Sequence, residues 1–216
     1  MIAYGKQDIR FDDIKVVVDV LKSDFLTQGP MVPKFEEAIS GLAEAKYVTA
    51  VNSATSALHI ACLALNVQPG DHVWTVPNTF VASANCALYC GAIIDFVDID
   101  PFRSNLSVDL LKEKLLFAKE AGELPKVIIP VHLTGEPCDM AAIKELSDEY
   151  GFRIIEDASH AIGGEYQQKP IGSCEYSDIT IFSFHPVKIV TSGEGGAALT
   201  NCPDLHRKLK LLRSHG

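Results

Sequence analysis

Two residues in the second half of the chain could do chemistry together. Asp157 closes the run Ile154-Ile155-Glu156, and Lys188 follows the next apolar run, just before a glycine-rich loop. A lysine amine can form a Schiff base with an aldehyde, and a carboxylate can keep a pyridine nitrogen protonated. The pair therefore predicts a site that holds opposite ends of the pyridoxal phosphate ring, with Lys188 and Asp157 as its catalytic residues.

Residues that could bind a phosphate lie between the first predicted strand and the helix after it. Ala54 and Thr55 would present backbone amides at a helix N-terminus, where the helix dipole also favours an anion. Ser183, at the end of a later strand, could reach the same phosphate. The run also fits an ordinary helix cap, because Ser and Thr are frequent N-cap residues.

Two more side chains could contact a bound ring. Phe80 follows a predicted strand and would lie at the carboxyl edge of the sheet, where open α/β folds bind ligands. Its ring could stack on a pyridine or belong to the core. His160 comes three residues after Asp157 and could support the ring or its phenolic oxygen, or simply face solvent.

Composition and missing motifs exclude several classes of protein. A net charge of −9 argues against a nucleic-acid partner, because binding to a phosphate backbone requires clustered Lys and Arg. The cysteines lack zinc-ligand spacing, so no metal site is expected. No apolar run approaches the roughly 20 residues that span a bilayer, and the N-terminus lacks signal-peptide features, which predicts a cytoplasmic protein without a membrane partner. The sequence also lacks three motifs that mark other classes of protein. These are G-x-G-x-x-G after a strand, typical of nicotinamide dehydrogenases, the Walker A motif of P-loop nucleotide-binding proteins, and the G-x-S-x-G motif of α/β-hydrolases.

Short β-branched runs alternate with longer amphipathic stretches, which predicts an α/β fold with a doubly wound sheet. The predicted strands lie near Tyr47–Val51, His72–Val76, Ala92–Val97, Lys126–His132, Arg153–Glu156, Asp178–Phe182 and Gly196–Thr200. The predicted helices lie at about Phe11–Lys22, from Val32, and at Thr55–Leu65, Thr79–Tyr89, Val108–Lys119, Met140–Tyr150 and Pro203–Arg213. We expect two parts: N-terminal helices with a substrate-facing segment in residues 1–45, and the α/β domain that would bind the cofactor in residues 46–216.

Together these motifs resemble the DegT/StrS family of pyridoxal-phosphate-dependent nucleotide-sugar aminotransferases. The resemblance covers the whole chain and is carried by Phe25-Leu26-Thr27-Gln28-Gly29-Pro30, Asn52-Ser53-Ala54-Thr55-Ser56-Ala57-Leu58, Thr79-Phe80-Val81-Ala82, Asp157-Ala158-Ser159-His160-Ala161, Ser183-Phe184-His185-Pro186-Val187-Lys188, Glu194-Gly195-Gly196 and Arg213-Ser214-His215-Gly216. It implies the large domain of a fold type I aminotransferase, with a mixed, mostly parallel seven-stranded sheet between helical layers. It also implies homodimers with shared active sites, and a smaller C-terminal domain beyond the Arg-Ser-His-Gly segment, which makes this chain an N-terminal part.

The resemblance also implies a role for each candidate residue. Lys188 is matched to the Schiff-base lysine, Asp157 to the partner of the ring nitrogen and His160 to a neighbour of the ring oxygen. The remaining cofactor contacts are Phe80, which would stack on the ring, and Ala54, Thr55 and Ser183, which would hold the phosphate. Substrate contacts are implied for Tyr4, Asp24, Phe25, Leu26 and Thr27, together with Ala54 and Ser183.

The implied reaction moves an amino group from glutamate to the 4-keto carbon of a nucleotide-linked deoxysugar. A UDP-linked sugar of pseudaminic acid or related cell-surface sugar biosynthesis is expected. Two alternatives stay open at this point. One is a sugar dehydratase of the same family, which carries His where this chain has Lys188; the other is a non-catalytic member that binds or senses without turnover.

Overall fold

The computed structural model describes residues 6–215, and most of its strands join one sheet. The strands of this sheet are β1 (Tyr47–Val51), β2 (His72–Thr75), β3 (Ile93–Phe96), β4 (Val127–Ile129), β5 (Arg153–Asp157), β8 (Ile179–Ser183) and β9 (Gly196–Thr200), and a separate hairpin pairs β6 (Glu165–Tyr166) with β7 (Lys169–Pro170). The order across the seven-stranded sheet is β1-β9-β8-β5-β4-β2-β3. Strand β9 runs antiparallel to both β1 and β8, and the other pairs are parallel. The predicted α/β fold with a mostly parallel sheet is confirmed.

Helices cover both faces of the sheet. They are α1 (Phe11–Leu21), α2 (Met31–Ala43), α3 (Ala54–Ala64), α4 (Ala82–Tyr89), α5 (Val108–Ala121), α6 (Met140–Tyr150) and α7 (Pro203–Arg213). Apolar side chains of α3, α4 and α7 form one core with the sheet, while α5 and α6 form a second and α2 a third. Helix α1 buries no residue. Within residues 6–215, every helix is too short or too polar to cross a membrane.

Three local details differ from the sequence prediction. Strand β4 stops at Ile129, because Pro130 has no amide to donate to the ladder. Helix α4 begins at Ala82 and not at Thr79. The β6–β7 hairpin was not predicted, since its turn places Gln167 and Gln168 at positive φ (49° and 63°) without the Asn-Gly signal that marks such turns. No observation tests the predicted division into residues 1–45 and 46–216, which stays a prediction.

A buried charge on β5 connects that strand to β8 and to the segment that follows β4. The Glu156 carboxylate on β5 accepts hydrogen bonds from the hydroxyls of Ser177 and Thr180, both at 2.8 Å, and lies 2.9 Å from His132 Nε2. Because His132 Nδ1 accepts the Cys138 amide at 3.2 Å, Nε2 must carry the proton and donate to Glu156. Burial alone would raise the pKa of the Glu156 carboxyl, but these hydrogen bonds lower it below its usual value.

One glycine sets the distance between the sheet and helix α3. A Cβ on Gly196, the first residue of β9, would lie 2.4 Å from Ser53 C and 2.5 Å from Ala54 N. Only a residue without a side chain lets the start of β9 touch the start of α3. In the ladder, Gly196 faces Val51 on one side and Ser183 on the other, so it joins the two segments predicted to bind phosphate.

We expect Glu156→Gln to lower the free energy of unfolding by about 1–3 kcal/mol at neutral pH, since an amide cannot accept every bond that the carboxylate accepts. The folded pKa of Glu156 is depressed, so its contribution is full above the usual pKa of a glutamate and is lost as the pH falls. Urea titrations from about pH 7 to about pH 3 should therefore show a shallower acid loss in the variant than in the parent protein. Glu145→Gln, an exposed control on α6, should keep the parental slope; equal slopes for Glu156→Gln would contradict the assignment.

We expect Gly196→Ala to cost about 1–3 kcal/mol of unfolding free energy, because the added methyl meets backbone atoms that must move apart. Gly41→Ala is the matched control: it lies inside α2 with nothing within 4 Å of the new Cβ, and should stabilise by up to about 1 kcal/mol. Urea denaturation of both variants measures the difference. Equal stability of Gly196→Ala and the parent would show that the close contact is not maintained.

Candidate active site

A cavity of about 400 Å³ opens at the edge where the carboxyl ends of the parallel strands meet. Strands β1, β2, β4, β5 and β8 run in the same direction, so their carboxyl ends all lie at this edge. The lining includes every residue that was predicted to contact the cofactor, namely Ala54, Thr55, Phe80, Asp157, His160, Ser183 and Lys188. Residues from distant parts of the sequence therefore share one cavity, because parallel strands align their carboxyl ends.

One corner of the cavity is suited to an anion. Ser53 is the N-cap of α3, and its hydroxyl oxygen accepts the Ser56 amide at 3.1 Å. The amides of Ala54 and Thr55 occupy the first two helical positions, where a helix offers no acceptor of its own. Ser183 is held beside them, since it pairs in the ladder with Gly196, which touches the start of α3. The helix dipole adds a partial positive charge at the same point.

Asp157 forms the buried polar wall of the cavity. Asp157 is only 4% exposed, so its carboxylate requires hydrogen-bond partners to offset its desolvation. Its Oδ2 accepts the Ser83 hydroxyl at 2.7 Å, and its Oδ1 accepts both the hydroxyl and the amide of Ser159, at 2.6 and 3.2 Å. All three partners donate, so each offsets part of the desolvation of the carboxylate.

Lys188 lies on the loop between β8 and β9, half-buried in the cavity wall. Burial lowers the pKa of its ammonium below the usual range, and the charge of Asp157 opposes this shift. His160 is also half-buried; burial and the positive charge of Lys188 lower its pKa, while Asp157 raises it. All three side chains line the same cavity, so each lies within range of the others' charge. A lysine of lowered pKa supplies a neutral amine more readily, which is the form that attacks a carbonyl.

Phe80 projects at the cavity mouth and is 72% exposed. It follows β2 and comes before the first turn of α4, so its ring belongs to no core cluster of the described residues. The alternative that Phe80 is a core residue is therefore wrong. A large, exposed ring at the cavity provides an apolar surface on which a flat ligand can stack.

Four of the predicted sugar contacts do not line this cavity, whereas two others, Ala54 and Ser183, do. Asp24, Phe25, Leu26 and Thr27 are exposed in the connection between α1 and α2, and the cavity lining does not contain them. Tyr4 lies outside the described residues. The predicted contacts of all five with substrate stay predictions.

Sequence reasoning did not identify the donors that surround Asp157. Ser159 follows Asp157 by two residues, a spacing at which Asp and Ser often bond locally, so this signal was present. Ser83 was harder to find, because it lies on α4, far from Asp157 in sequence. Its only signal is the i, i+4 spacing from Thr79, whose hydroxyl lies 2.8 Å from that of Ser83.

The arrangement combines an anion corner, a buried acceptor, an amine of lowered pKa and an exposed aromatic ring. These groups can bind a small planar ligand that carries a phosphate and a ring N–H. The amine can then condense with a carbonyl of the ligand or move a proton beside it.

Several known proteins that resemble this chain are aminotransferases. The chain is 41% identical over 216 residues to the UDP-4-amino-4,6-dideoxy-N-acetyl-beta-L-altrosamine transaminase of Campylobacter jejuni subsp. jejuni serotype O:23/36 (strain 81-176), covering 100% of this chain and 56% of the relative. Helicobacter pylori PseC, described as an aminotransferase involved in the biosynthesis of pseudoaminic acid, superposes with a TM-score of 0.89 at 35% identity, covering 99% of this chain and 56% of that chain. NtdA of Bacillus subtilis with bound cofactor PMP superposes with a TM-score of 0.83 at 33% identity, covering 92% of this chain and 43% of that chain.

The chain spans about half the length of the curated relatives it matches. A family model covers nearly all of it: the model of the DegT/DnrJ/EryC1/StrS aminotransferases matches residues 7–216. The resemblance inferred from the motifs is thereby confirmed, and the chain belongs to the DegT/DnrJ/EryC1/StrS aminotransferase family.

Proposed function

We propose that the protein is a pyridoxal-phosphate-dependent sugar aminotransferase. It transfers an amino group from glutamate to the 4-keto carbon of a nucleotide-linked deoxysugar. The observation that carries this proposal is the shared cavity, in which the Lys188 amine and the buried Asp157 carboxylate act on the same space beside an anion-binding helix terminus.

The residues that line the cavity fit pyridoxal phosphate. The phosphate suits the free amides of Ala54 and Thr55 with the Ser183 hydroxyl, and the ring suits the exposed face of Phe80. Asp157 accepts three hydrogen bonds and can accept another from a protonated ring nitrogen. The cofactor bound in the NtdA structure carries the same phosphate and ring, which supports the choice of ligand.

When bound, this cofactor supplies an aldehyde that can exchange amines and a protonated ring that stabilises negative charge at the adjacent carbon. Lys188 would hold the cofactor through its aldehyde, and its free amine would be the base that takes the proton from Cα of glutamate. The same amine returns a proton to C4 of the sugar in the second half of the reaction. Asp157 would keep the ring nitrogen of the bound cofactor protonated, and its burial would keep water from competing for the carboxylate.

The relatives favour a UDP-linked 4-keto-6-deoxy sugar as the acceptor of the amino group. The Campylobacter relative is named for a UDP-linked 4-amino-4,6-dideoxy sugar, and the Helicobacter neighbour for the biosynthesis of pseudoaminic acid. We therefore propose a role in the synthesis of pseudaminic acid or a related cell-surface sugar. Tyr4 and the stretch Asp24-Phe25-Leu26-Thr27 are the residues proposed to contact the sugar.

We further propose that the protein is a cytoplasmic homodimer. Exposed apolar side chains support the dimer: Phe80, Val81, Leu88 and Tyr89, on or just before α4, are all at least half exposed. Several large exposed apolar side chains on one short stretch of chain are typical of a protein interface.

Lys188→Ala should abolish the yellow colour that the protein gains with pyridoxal phosphate, because only the ε-amine can condense with the aldehyde and release water. Visible absorbance measures the loss, and borohydride reduction followed by peptide mass spectrometry should find the adduct on Lys188 in the parent protein. Lys169→Ala, which removes an exposed lysine of the β6–β7 hairpin, should keep the full absorbance. An adduct on another lysine, or a Lys188→Ala protein that stays yellow, would refute the assignment.

The purified protein, given pyridoxal phosphate, glutamate and a UDP-linked 4-keto-6-deoxy sugar, should form a 4-amino sugar and 2-oxoglutarate. Mass spectrometry of the sugar identifies the product, and the dTDP-linked 4-keto sugar tests the choice of nucleotide. Asp157→Asn should lower the rate at least 100-fold, because a neutral amide cannot keep the ring nitrogen protonated. A deoxygenated sugar would identify a dehydratase instead, and ligand binding with no product would identify a non-catalytic member.

A further inference from the structure

We propose that Ser83 is a positioning residue that reserves one oxygen of Asp157 for the protonated ring nitrogen of the cofactor. This inference rests on the proposed function. It concerns which oxygen of the carboxylate the ligand uses and what holds that oxygen in place.

The count of acceptor sites on Asp157 identifies the oxygen. Each oxygen of an ionised carboxylate offers about two lone-pair sites. Oδ1 accepts two donors from Ser159, its hydroxyl at 2.6 Å and its amide at 3.2 Å, and is therefore saturated. Oδ2 accepts the Ser83 hydroxyl alone, at 2.7 Å, among the described residues. The one free acceptor site of the carboxylate is on the oxygen that Ser83 holds.

The directions of the hydrogen bonds follow from the charge of Asp157. An ionised carboxylate only accepts, so the single proton of the Ser83 hydroxyl points to Oδ2. The Thr79 hydroxyl, 2.8 Å from Ser83 Oγ, must then donate to it. Thr79 lines the cavity and Ser83 lies behind it, which gives a directed chain from Thr79 through Ser83 to Asp157.

Burial makes this chain hard to replace. Ser83 is 0% exposed, so water has no access to take the place of its hydroxyl. The hydroxyl proton of Ser83 could instead be donated to the Phe80 carbonyl oxygen, but that distance is 3.2 Å, longer than the 2.7 Å to Asp157 Oδ2, and the carbonyl carries no charge. Without Ser83, Oδ2 would keep two free sites, and nothing on that side would fix the rotation of the carboxylate about its Cβ–Cγ bond.

The test compares two ligands on two proteins. Pyridoxal phosphate and its 1-deaza analogue, which has CH in place of the ring nitrogen, are titrated into the parent protein and Ser83→Ala, and fluorescence gives the dissociation constants. The parent protein should prefer pyridoxal phosphate. Ser83→Ala should lose about tenfold in affinity for pyridoxal phosphate, as expected for one hydrogen bond to a charged group, with little change for the analogue.

Two further variants test the chain itself. Ser159→Ala leaves the Ser159 amide on Oδ1 and should reduce the preference for the ring nitrogen less than Ser83→Ala does. Thr79→Val removes the donor to Ser83 without creating a cavity. Like Ser83→Ala, it should lower the affinity for pyridoxal phosphate more than the affinity for the analogue. Binding of the analogue, which lacks the ring nitrogen, also reports whether each variant is folded.

Each outcome separates the inference from the proposed function. If Ser83→Ala lowers the affinity for both ligands equally, Ser83 has a purely structural role and the inference is overturned. A parent protein that binds both ligands equally would show that Asp157 does not hold the ring nitrogen, and would overturn it too. A parent protein that binds neither ligand would refute the proposed function and the inference with it.

Discussion

A buried carboxylate controls how this site is built. Asp157 is almost fully enclosed, and an unpartnered charge at such a position would be strongly unfavourable. Three hydrogen-bond donors stabilise it: the hydroxyl of Ser83 on helix α4, and the hydroxyl and amide of Ser159, two residues after the end of β5. Because those donors must converge on two oxygens, the end of β5 and the first turns of α4 are held at a defined distance. The cavity exists between these elements and the start of α3.

The direction of the strands places the other groups around that carboxylate. Parallel strands bring their carboxyl ends to one edge, so the segments after β1, β2, β5 and β8 meet there. Strand β9 runs the opposite way and brings its first residue, Gly196, to the same edge. Because β9 is antiparallel, its first residue, Gly196, lies against the start of α3. If β9 were parallel to its neighbours, its last residue, Thr200, would lie at this edge instead.

Much of this arrangement could be predicted from the sequence, because strand ends and helix starts have strong local signals. The apolar runs before Asp157 and Ser183 predicted their strands to within a residue, and parallel pairing then placed both residues at one edge. Ser83 could not be predicted, since its bond to Asp157 depends on how α4 packs against the sheet. His132 was assigned to a strand, but Pro130 interrupts the ladder before it, and its partner Glu156 is visible only in three dimensions.

The position of β9 has a consequence for how the molecule folds. Within residues 6–215, strand β1 pairs in the sheet with β9 alone, and β9 follows every other strand in sequence. Their pairing closes a long loop, and contacts of such high sequence separation form late and slowly. The phosphate corner is made by the same event, because Gly196 and Ser53 meet only when β9 inserts between β1 and β8. A partly folded chain therefore has no competent phosphate pocket, and ligand capture reports that the last strand has docked.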